Sequence, residues 1–149
     1  MTTSLSSASG AAVPLDASVQ LRRRGLRCTP GRLHALAMLS SSGAHLSSAE
    51  VFAQLRAVGI PVDRATVYRT LETLEAAGLV HAVHGRGPKR YGIGSEPHPH
   101  TVCEECGQVG DLTGERLGET VERIMEMSGL RPGASGSLLV YGLCARCAE

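Results

Sequence analysis

Residues 63–93 have the sequence DRATVYRTLETLEAAGLVHAVHGRGPKRYGI, in which a helical pattern gives way to a hairpin pattern. Asp63 is a favourable helix N-cap, and apolar residues recur at helical spacing from there to Ala77. Gly78 favours the left-handed conformation that commonly ends a helix. Two short extended runs then flank the glycine-rich, basic tip GRGPK, which predicts a β-hairpin. The residues of this stretch expected to face inward are Val67, Leu71, Leu74 and Leu79.

Further helices are predicted upstream of this stretch, the first of them from Ser18. Thr29 followed by Pro30 is typical of a helix start, and Ser41-Ser42-Gly43 would end that helix. Its inward residues are expected to be Leu33, Leu36, Ala37 and Leu39. The next helix is expected to run from Ser47-Ser48 to Gly59, with an apolar stripe of Val51, Phe52 and Leu55. Helices followed by a basic hairpin describe a winged helix-turn-helix domain, which we place at residues 16–93, after a flexible tail at residues 1–15.

Local charge, rather than net charge, indicates what this half of the chain binds. The net charge of the 149-residue chain is only +1, but residues 21–27 contain four arginines and the hairpin tip is basic. The helix from Asp63 carries Arg, Thr and Tyr near its N-terminal end, where recognition helices meet base edges. Arginine can bond guanine bidentately, and Tyr or Thr can contact a thymine methyl or a phosphate. The predicted contacts to double-stranded DNA are Arg27, Arg32, Arg64, Thr66, Tyr68, Arg69, Arg86 and Lys89.

Residues 98–149 are predicted to form a small α/β domain after a hinge at residues 94–97, where the composition shifts. A strand interrupted by a turn is expected at residues 101–112 and a further strand at residues 137–141. Between them, residues 117–127 have the pattern of an amphipathic helix. Its inward side chains are expected to be Leu117, Val121, Ile124 and Met125. The predicted fold class is therefore α+β.

Two Cys-x-x-Cys pairs, Cys103 with Cys106 and Cys144 with Cys147, are the most specific chemical signal. Four thiolates suit the tetrahedral shell of zinc, and a closed shell leaves no position for catalytic water, which favours a structural ion. The sequence has no secretory signal and no apolar run of about 20 residues, so we expect a cytoplasmic protein without membrane contact. In that reducing compartment, paired cysteines more often bind metal than form disulfides. The fifth cysteine, Cys28, is expected to be a buried small hydrophobe.

Histidines form a second potential metal site. His98 and His100 alternate along an expected strand, so both imidazoles could reach one ion. His81 and His84 lie in the hairpin and count toward the same cluster, and His45 could approach from the helix-to-helix turn. Because an H-x-H unit stands directly before the cysteine pair, metal binding is the favoured interpretation. His34, in the middle of an apolar helical run, is interpreted as structural.

Together these motifs resemble the ferric uptake regulator (Fur) family over about residues 18–147. The matching segments are RCTPGR (27–32), HLSSAEVF (45–52), ATVYRTL (65–71), AGLV (77–80), HPHTVCEECG (98–107) and YGLCARC (141–147). The resemblance implies a homodimer with N-terminal winged helices and C-terminal α/β dimerisation domains. It also implies a regulatory metal at the hinge, which favours the arrangement that binds DNA.

The resemblance leaves two ways to fill the regulatory site, and His98 and His100 match ligands in both. His81 takes the position of an acidic first ligand in actinobacterial-type zinc sensors. His45 matches a ligand of iron, nickel and peroxide sensors, and Asp111 matches the acidic residue of peroxide and iron sensors. The ligand set is therefore either His81 with the His98–His100 pair, or His45 and Asp111 with that pair.

The sequence also departs from the family pattern. An acidic or cysteine ligand expected near Tyr91 is missing, and Gly92 and Gly94 stand there instead. Gly118 and Gly136 occupy positions where many members place Glu and His in a further metal pocket. We expect that further site to be absent, or rebuilt with Glu115 or Glu119.

The predicted function is a zinc-responsive repressor of metal-uptake genes that binds an inverted-repeat operator as a homodimer. The regulatory ion is predicted to be Zn²⁺, otherwise Fe²⁺, Mn²⁺ or Ni²⁺, beside the structural zinc. The alternatives are a peroxide-sensing iron or manganese repressor, which Asp111 supports, and a DNA-binding protein whose only metal is the four-cysteine zinc. A zinc hydrolase would need an open metal position and a general base. Glu96 is the only nearby candidate for that base, and the sequence contains no nucleophile elbow or phosphate loop, so we predict that the protein is not an enzyme.

Overall fold

The computed structural model describes residues 16–94, 98–112, 114, 116–131 and 138–149. The predicted tail, hinge residues 95–97, Glu115 and Gly136 lie outside the described residues. The elements in chain order are α1 (Ala17–Arg23), α2 (Pro30–Ser42), β1 (Leu46–Ser47), α3 (Ser48–Ala57), α4 (Arg64–Ala76), β2 (Val80–Val83), β3 (Arg90–Ile93), β4 (His100–Cys103), β5 (Val109–Asp111), α5 (Leu117–Ser128) and β6 (Leu139–Gly142). None of the described helices is long and apolar enough to span a membrane.

Side-chain caps begin the helices of the N-terminal half at the predicted places. At the start of α2, Thr29 Oγ1 accepts a hydrogen bond from a backbone N–H at 3.4 Å. At the start of α4, Asp63 Oδ1 accepts one at 2.6 Å. Ser47 and Glu50 form a reciprocal capping box at the start of α3. Each cap satisfies backbone donors that a helix leaves unpaired, which is why these residues mark the helix starts.

The N-terminal core lies between α1–α4 and the strands β2 and β3. Its buried residues are Leu21, Ala35, Leu36, Leu39, Val51, Leu55, Val67, Leu71, Leu74, Leu79, Val80 and Tyr91. All four inward residues predicted for α4 and its C-terminal end are among them. The prediction for Ala37 was wrong, because the buried arc of α2 passes through Ala35 and leaves Ala37 exposed.

Strand β3 is the central strand of the first sheet, which has the order β1-β3-β2 with both pairings antiparallel. Strands β2 and β3 are the predicted hairpin, and we call residues 80–93 the wing. Strand β1 was not predicted, since two residues are too few to show a strand periodicity. Leu46 pairs with Tyr91, and this pairing brings the turn after α2 to the wing.

The second sheet has the order β5-β4-β6, with β4 antiparallel to β5 and parallel to β6. The predicted strand interrupted by a turn is therefore β4 followed by β5. Val102 and Val109 of this sheet pack in one buried cluster with Val83 of β2. This cluster joins the C-terminal half to the wing and sets the relative position of β2 and β4.

Helix α5 forms at the predicted place, but none of its residues is buried. Ile124 is 40% exposed, although the sequence pattern predicted that it faces inward. Leu117, Val121 and Met125 are only partly covered. The inward orientation predicted for these four residues is therefore not met among the described residues, which offer the apolar stripe of α5 too little to pack against.

Candidate metal centres and nucleic-acid interface

Five potential ligands converge between the wing and the second sheet. One ligand atom from each of His45, His81, His98, His100 and Asp111 lies within 4.8 Å of the others. The β1–β3–β2 pairing carries His45 and His81 to one place. The β4–β5 pairing places His100 directly opposite Asp111. Both ligand sets left open by the sequence thus occupy a single location.

The distances within this five-residue cluster, which we call the histidine cluster, are short. His81 Nε2 lies 2.9 Å from His45 Nε2 and 3.1 Å from His100 Nε2. Asp111 Oδ1 lies 2.9 Å from His98 Nε2, 3.4 Å from His100 Nε2 and 3.5 Å from His45 Nε2. Ligands on a tetrahedral zinc with bonds of about 2.0–2.1 Å are separated by roughly 3.3 Å, so the cluster has the dimensions of one coordination shell.

Burial favours the neutral, metal-binding form of three imidazoles of the cluster, those of His45, His81 and His100. His45 is 5% exposed and His100 is 1% exposed. Desolvation lowers the pKa of each to about 4, and neighbouring histidines act in the same direction, while Asp111 opposes the change. The pKa of His81 is also lowered, chiefly by burial. Neutral imidazoles whose lone pairs meet at one point fit a divalent cation.

The hairpin histidine His84 does not join the cluster. It lies one residue beyond β2, where its side chain is exposed. The sequence interpretation that grouped it with His81 is therefore corrected. His34 is exposed as well, and its Nδ1 lies 2.9 Å from the carbonyl oxygen of Pro30 within α2.

The four cysteines of the two Cys-x-x-Cys pairs form the second group. Cys103, Cys106, Cys144 and Cys147 each place Sγ within 4.8 Å of the others. The Sγ atoms of Cys106 and Cys144 are 3.8 Å apart. This matches the edge of about 3.8 Å expected for a tetrahedron with Zn–S bonds of about 2.3 Å. A zinc ion here would link the turn after β4 to the end of β6.

Backbone hydrogen bonds favour the thiolate form of Cys103 and Cys144. Hydrogen bonds from the backbone N–H groups of Cys106 and Cys144 lower the pKa of Cys103 to about 6. A hydrogen bond with the Cys144 sulfur is the largest cause that raises the pKa of Cys147 to about 12, and burial and repulsion by the Cys103 thiolate act in the same direction. A divalent cation removes that repulsion, so the donor set fits zinc.

Among the described residues, these two groups are the places where three or more potential ligands meet. Glu119, proposed from sequence for a rebuilt further pocket, belongs to neither group. Glu115 and Gly136 lie outside the described residues.

The predicted DNA-contacting residues lie on α4, the wing and the segment between α1 and α2. Tyr68 is 50% exposed. Arg69 is exposed, and its Nη2 donates to Thr66 Oγ1 at 3.4 Å. Arg64 lies over the ring of Phe52, 5.3 Å from its centre. Arg27 and Arg86 are exposed, and Arg32 is half-buried and donates to the Arg27 carbonyl at 3.2 Å.

Lys89 has a different environment from the other predicted DNA contacts. Its Nζ donates to carboxylate oxygens of Glu72 and Glu75, each at 2.8 Å. Partial burial alone would lower the pKa of Lys89, but these hydrogen bonds outweigh it and raise that pKa. Because both carboxylates belong to α4, Lys89 joins the wing to that helix. Its contact with DNA stays a prediction.

The sequence interpretation also missed Arg90, which supports the histidine cluster. Its Nη1 donates to the carbonyl oxygen of His45 at 3.2 Å and to Glu50 Oε2 at 2.8 Å. These bonds fix the backbone of His45 beside the capping box of α3. The only sequence signal was an arginine within an expected strand, which does not identify a partner 45 residues away.

Comparison with known proteins agrees with this architecture. Residues 23–134 match the model of the Ferric uptake regulator family. The ferric uptake regulation protein of Legionella pneumophila is 35% identical over 137 residues, which cover 89% of this chain and 99% of that protein. A peroxide-responsive repressor, PerR, of Staphylococcus aureus is 27% identical over 135 residues, which cover 90% of each protein.

Solved structures give the same result. The Vibrio cholerae ferric uptake regulator superposes with a TM-score of 0.69 at 30% identity, covering 87% of this chain and 100% of that one. A zinc uptake regulator in complex with zinc and DNA gives a TM-score of 0.60 at 25% identity, covering 89% and 91%. These matches confirm the predicted α+β fold, with an N-terminal winged-helix DNA-binding domain and a C-terminal dimerisation domain. The chain belongs to the ferric uptake regulator family and is a metal-responsive transcriptional regulator, not an enzyme.

Proposed function

We propose that this protein is a zinc-responsive repressor of metal-uptake genes, acting in the cytoplasm as a homodimer on inverted-repeat operators. The observation that carries the proposal is the convergence of five potential ligands from both halves of the chain. We assign residues 16–93 to DNA binding, residues 94–97 to the hinge and residues 98–149 to dimerisation. The four cysteines are assigned to a structural zinc.

The position of the histidine cluster suggests how metal would control DNA binding. His45 and His81 belong to the winged-helix half, whereas His98, His100 and Asp111 belong to the C-terminal half. An ion held by both groups stabilises only the arrangement in which they meet. The ion can shift the equilibrium between the two arrangements only by the difference between its binding free energies for them. A coupling free energy of about 1–3 kcal/mol changes DNA affinity roughly 5- to 150-fold.

The chemistry of the cluster favours zinc as the regulatory ion. Four of its five potential ligands are imidazoles, which suit zinc, iron, nickel and copper, whereas carboxylates suit manganese and magnesium. A structural relative was solved with zinc and DNA. Asp111 supports a second candidate, a peroxide-sensing iron or manganese repressor, because its Oδ1 reaches three of the imidazoles.

The exposed residues of α4 supply the proposed DNA contacts. In a symmetric dimer, one α4 would enter the major groove of each half-site, with Arg64, Tyr68 and Arg69 near the bases. Arg27 and Arg86 would lie on phosphates. The exposed apolar residues of α5 and β6 would pack against the second copy.

The proposal is tested by measuring metal content and DNA affinity together. Protein treated with a mild chelator, retaining the cysteine-bound zinc, is titrated with Zn²⁺, Fe²⁺, Mn²⁺ and Ni²⁺ against a promoter fragment carrying an inverted repeat. We expect Zn²⁺ to raise the DNA affinity, and the double substitution of His98 and His100 by Ala to abolish that response. His34→Ala is the matched control, since His34 lies on α2 away from the cluster.

Other outcomes would identify another regulator. Activation by Fe²⁺ or Mn²⁺, reversed by peroxide in the iron form, would replace the zinc proposal with the peroxide-sensing one. Activation by Ni²⁺ alone would identify nickel as the regulatory ion. Metal-independent DNA binding that survives loss of His98 and His100 would leave the cysteine-bound zinc as the sole metal.

A further inference from the structure

Gly92 lies directly beneath the histidine cluster. It is the third residue of β3 and pairs with His81 across the wing. A Cβ atom added to Gly92 would lie 2.5 Å from His45 Nε2, 2.7 Å from His45 Cδ2 and 2.9 Å from His81 Cε1. All three distances are shorter than real contacts of a Cβ atom. The space that a side chain at position 92 would fill is therefore taken by two imidazoles.

The surroundings of both imidazoles restrain them. His45 is 5% exposed, and its carbonyl oxygen accepts a hydrogen bond from Arg90 at 3.2 Å. The Nδ1 of His81 lies 3.2 Å from the carbonyl oxygen of Gly94, which orients the ring with Nε2 toward the cluster. A side chain at position 92 would have to push His45 or His81 away from the point where the ligands meet.

We propose that Gly92 is a specificity-determining residue, because its lack of a side chain lets His45 and His81 reach the same metal ion and makes the site nitrogen-rich. This inference rests on the proposed function, since it takes the histidine cluster as the regulatory metal site. It also joins the two ligand sets left open by the sequence. His45 and His81 act together in one site and do not represent alternative sites.

The selectivity between metal ions follows from comparing the ligand set without His45 and His81 with the full set. His98, His100 and Asp111 alone would form a set of two histidines and one carboxylate, a type that holds iron(II) with open positions. With His45 and His81 added, four imidazoles face one carboxylate. Added nitrogen donors strengthen the binding of zinc and nickel more than that of manganese, which prefers oxygen. Gly92 therefore favours zinc-type ions over manganese.

The test compares Gly92→Ala with Gly87→Ala, a control in the tip of the wing where an added Cβ meets nothing within 4 Å. Zn²⁺ and Mn²⁺ affinities of the histidine cluster are measured by competition with a chromophoric chelator, in protein that keeps its cysteine-bound zinc. We expect Gly92→Ala to weaken Zn²⁺ binding by about 10- to 100-fold and Mn²⁺ binding by much less. The ratio of the two affinities should fall accordingly, and Gly87→Ala should leave it unchanged.

A double-mutant cycle shows whether Gly92 acts through the imidazoles. In the His45→Ala/His81→Ala background both clashes are absent, so adding Gly92→Ala should change Zn²⁺ affinity less than about threefold. The His45→Ala/His81→Ala variant should reproduce the loss of selectivity with Gly92 intact, and it keeps the test valid if Gly92→Ala does not fold. An unchanged Zn²⁺/Mn²⁺ ratio in Gly92→Ala or in His45→Ala/His81→Ala would overturn the role of Gly92. A wild-type protein that binds no metal beyond the cysteine-bound zinc would instead overturn the proposed function.

Discussion

Glu72 on α4 accepts hydrogen bonds from two residues of the wing. Lys89 Nζ donates to Glu72 at 2.8 Å and Tyr91 Oη donates at 2.7 Å. The hydrogen bond from Lys89 is the largest cause that holds the pKa of Glu72 below its ordinary value of 4.5. Since Tyr91 is buried and adjoins Gly92, these bonds connect α4 with the strand beneath the histidine cluster.

We expect Glu72→Gln to lower the free energy of unfolding by about 1 kcal/mol at neutral pH, a modest amount because this carboxylate is 40% exposed. A folded-state pKa below 4.5 means that the charged carboxylate stabilises the fold fully above pH 4.5 and loses this effect as the pH falls through the lowered value. Urea unfolding of both proteins from neutral pH down to about pH 3 measures the difference. Glu122→Gln, on exposed α5, is the control. A difference that stays constant down to the lowest pH would contradict this role.

Arg69 is the residue through which direct base contact can be tested. It is exposed on α4, and loss of a bidentate arginine–guanine contact costs about 1–3 kcal/mol. We expect Arg69→Ala to weaken binding to the operator by roughly 5- to 150-fold, with a smaller effect on unrelated DNA. Fluorescence anisotropy at fixed salt concentration measures both affinities. Arg56→Ala, exposed near the end of α3, should bind like the wild type, and equal losses in the two variants would exclude a base contact by Arg69.

The start of α3 shows how one helix terminus supports the metal site. Ser47 Oγ accepts from the Glu50 N–H at 3.2 Å, and Glu50 Oε2 accepts from the Ser47 N–H at 2.7 Å. The same carboxylate oxygen of Glu50 accepts from Arg90 at 2.8 Å. This capping box therefore stabilises α3 and also fixes the segment that holds His45, two residues upstream of Ser47.

Ser47→Ala removes one half of the capping box. We expect the free energy of unfolding to fall by about 1 kcal/mol, within the range of about 0.5–2 kcal/mol for lost N-caps. Ser48→Ala, one residue further, is the matched control, because Ser48 is the first residue within the helix and not its cap. Thermal or urea denaturation of both variants makes the comparison. Equal stabilities of the two variants would show that the capping box contributes nothing.

At the level of the whole molecule, the C-terminal half has an apolar surface that one chain leaves uncovered. Met127 is 81% exposed, Leu130 64% and Leu143 56%, while Val140 and Tyr141 of β6 are each 44% exposed. Such a surface on a regulatory protein marks a protein–protein interface. The helix that carries part of it has a clear amphipathic pattern, so its partner is expected in a second copy.

A charge placed on this surface should separate the copies. We expect Ile124→Glu to shift the protein from dimer to monomer in analytical ultracentrifugation, because an unpaired carboxylate at an apolar interface is strongly unfavourable. Weaker operator binding should accompany the shift, since each half-site would then be bound independently. Glu122→Ala on the same helix serves as the control. A variant that remains fully dimeric would place the interface elsewhere.

The four-cysteine group closes the C-terminal domain across a long stretch of chain. Its two pairs follow β4 and β6, which lie side by side and parallel. We expect Cys106→Ser to reduce the bound zinc from about one ion per chain to none in elemental analysis, with loss of amide protection in β4 and β6. Cys28→Ser should retain the ion, because Cys28 lies in the N-terminal half with Sγ 3.7 Å from the Ser18 carbonyl oxygen. Zinc retained in Cys106→Ser would exclude the four-cysteine assignment.

Features that depend on short-range interactions could be predicted from the amino-acid sequence. Thr29, Ser47 and Asp63 begin helices at or next to the predicted positions, because a cap bonds a backbone group only two or three residues away. The hairpin followed from its glycine-rich tip and flanking extended runs. The four cysteines could be grouped because each Cys-x-x-Cys turn supplies half of a tetrahedron by itself.

Features that depend on distant partners required the tertiary structure. His45 and His81 are 36 residues apart and meet because β1 and β2 flank β3, and β1 is too short to be predicted. The ion pairs of Lys89 with Glu72 and Glu75 on α4 also depend on tertiary packing. The space at Gly92 is likewise invisible in sequence. Local patterns specify elements, whereas packing between elements decides which side chains share a site, and this packing depends on contacts across tens of residues.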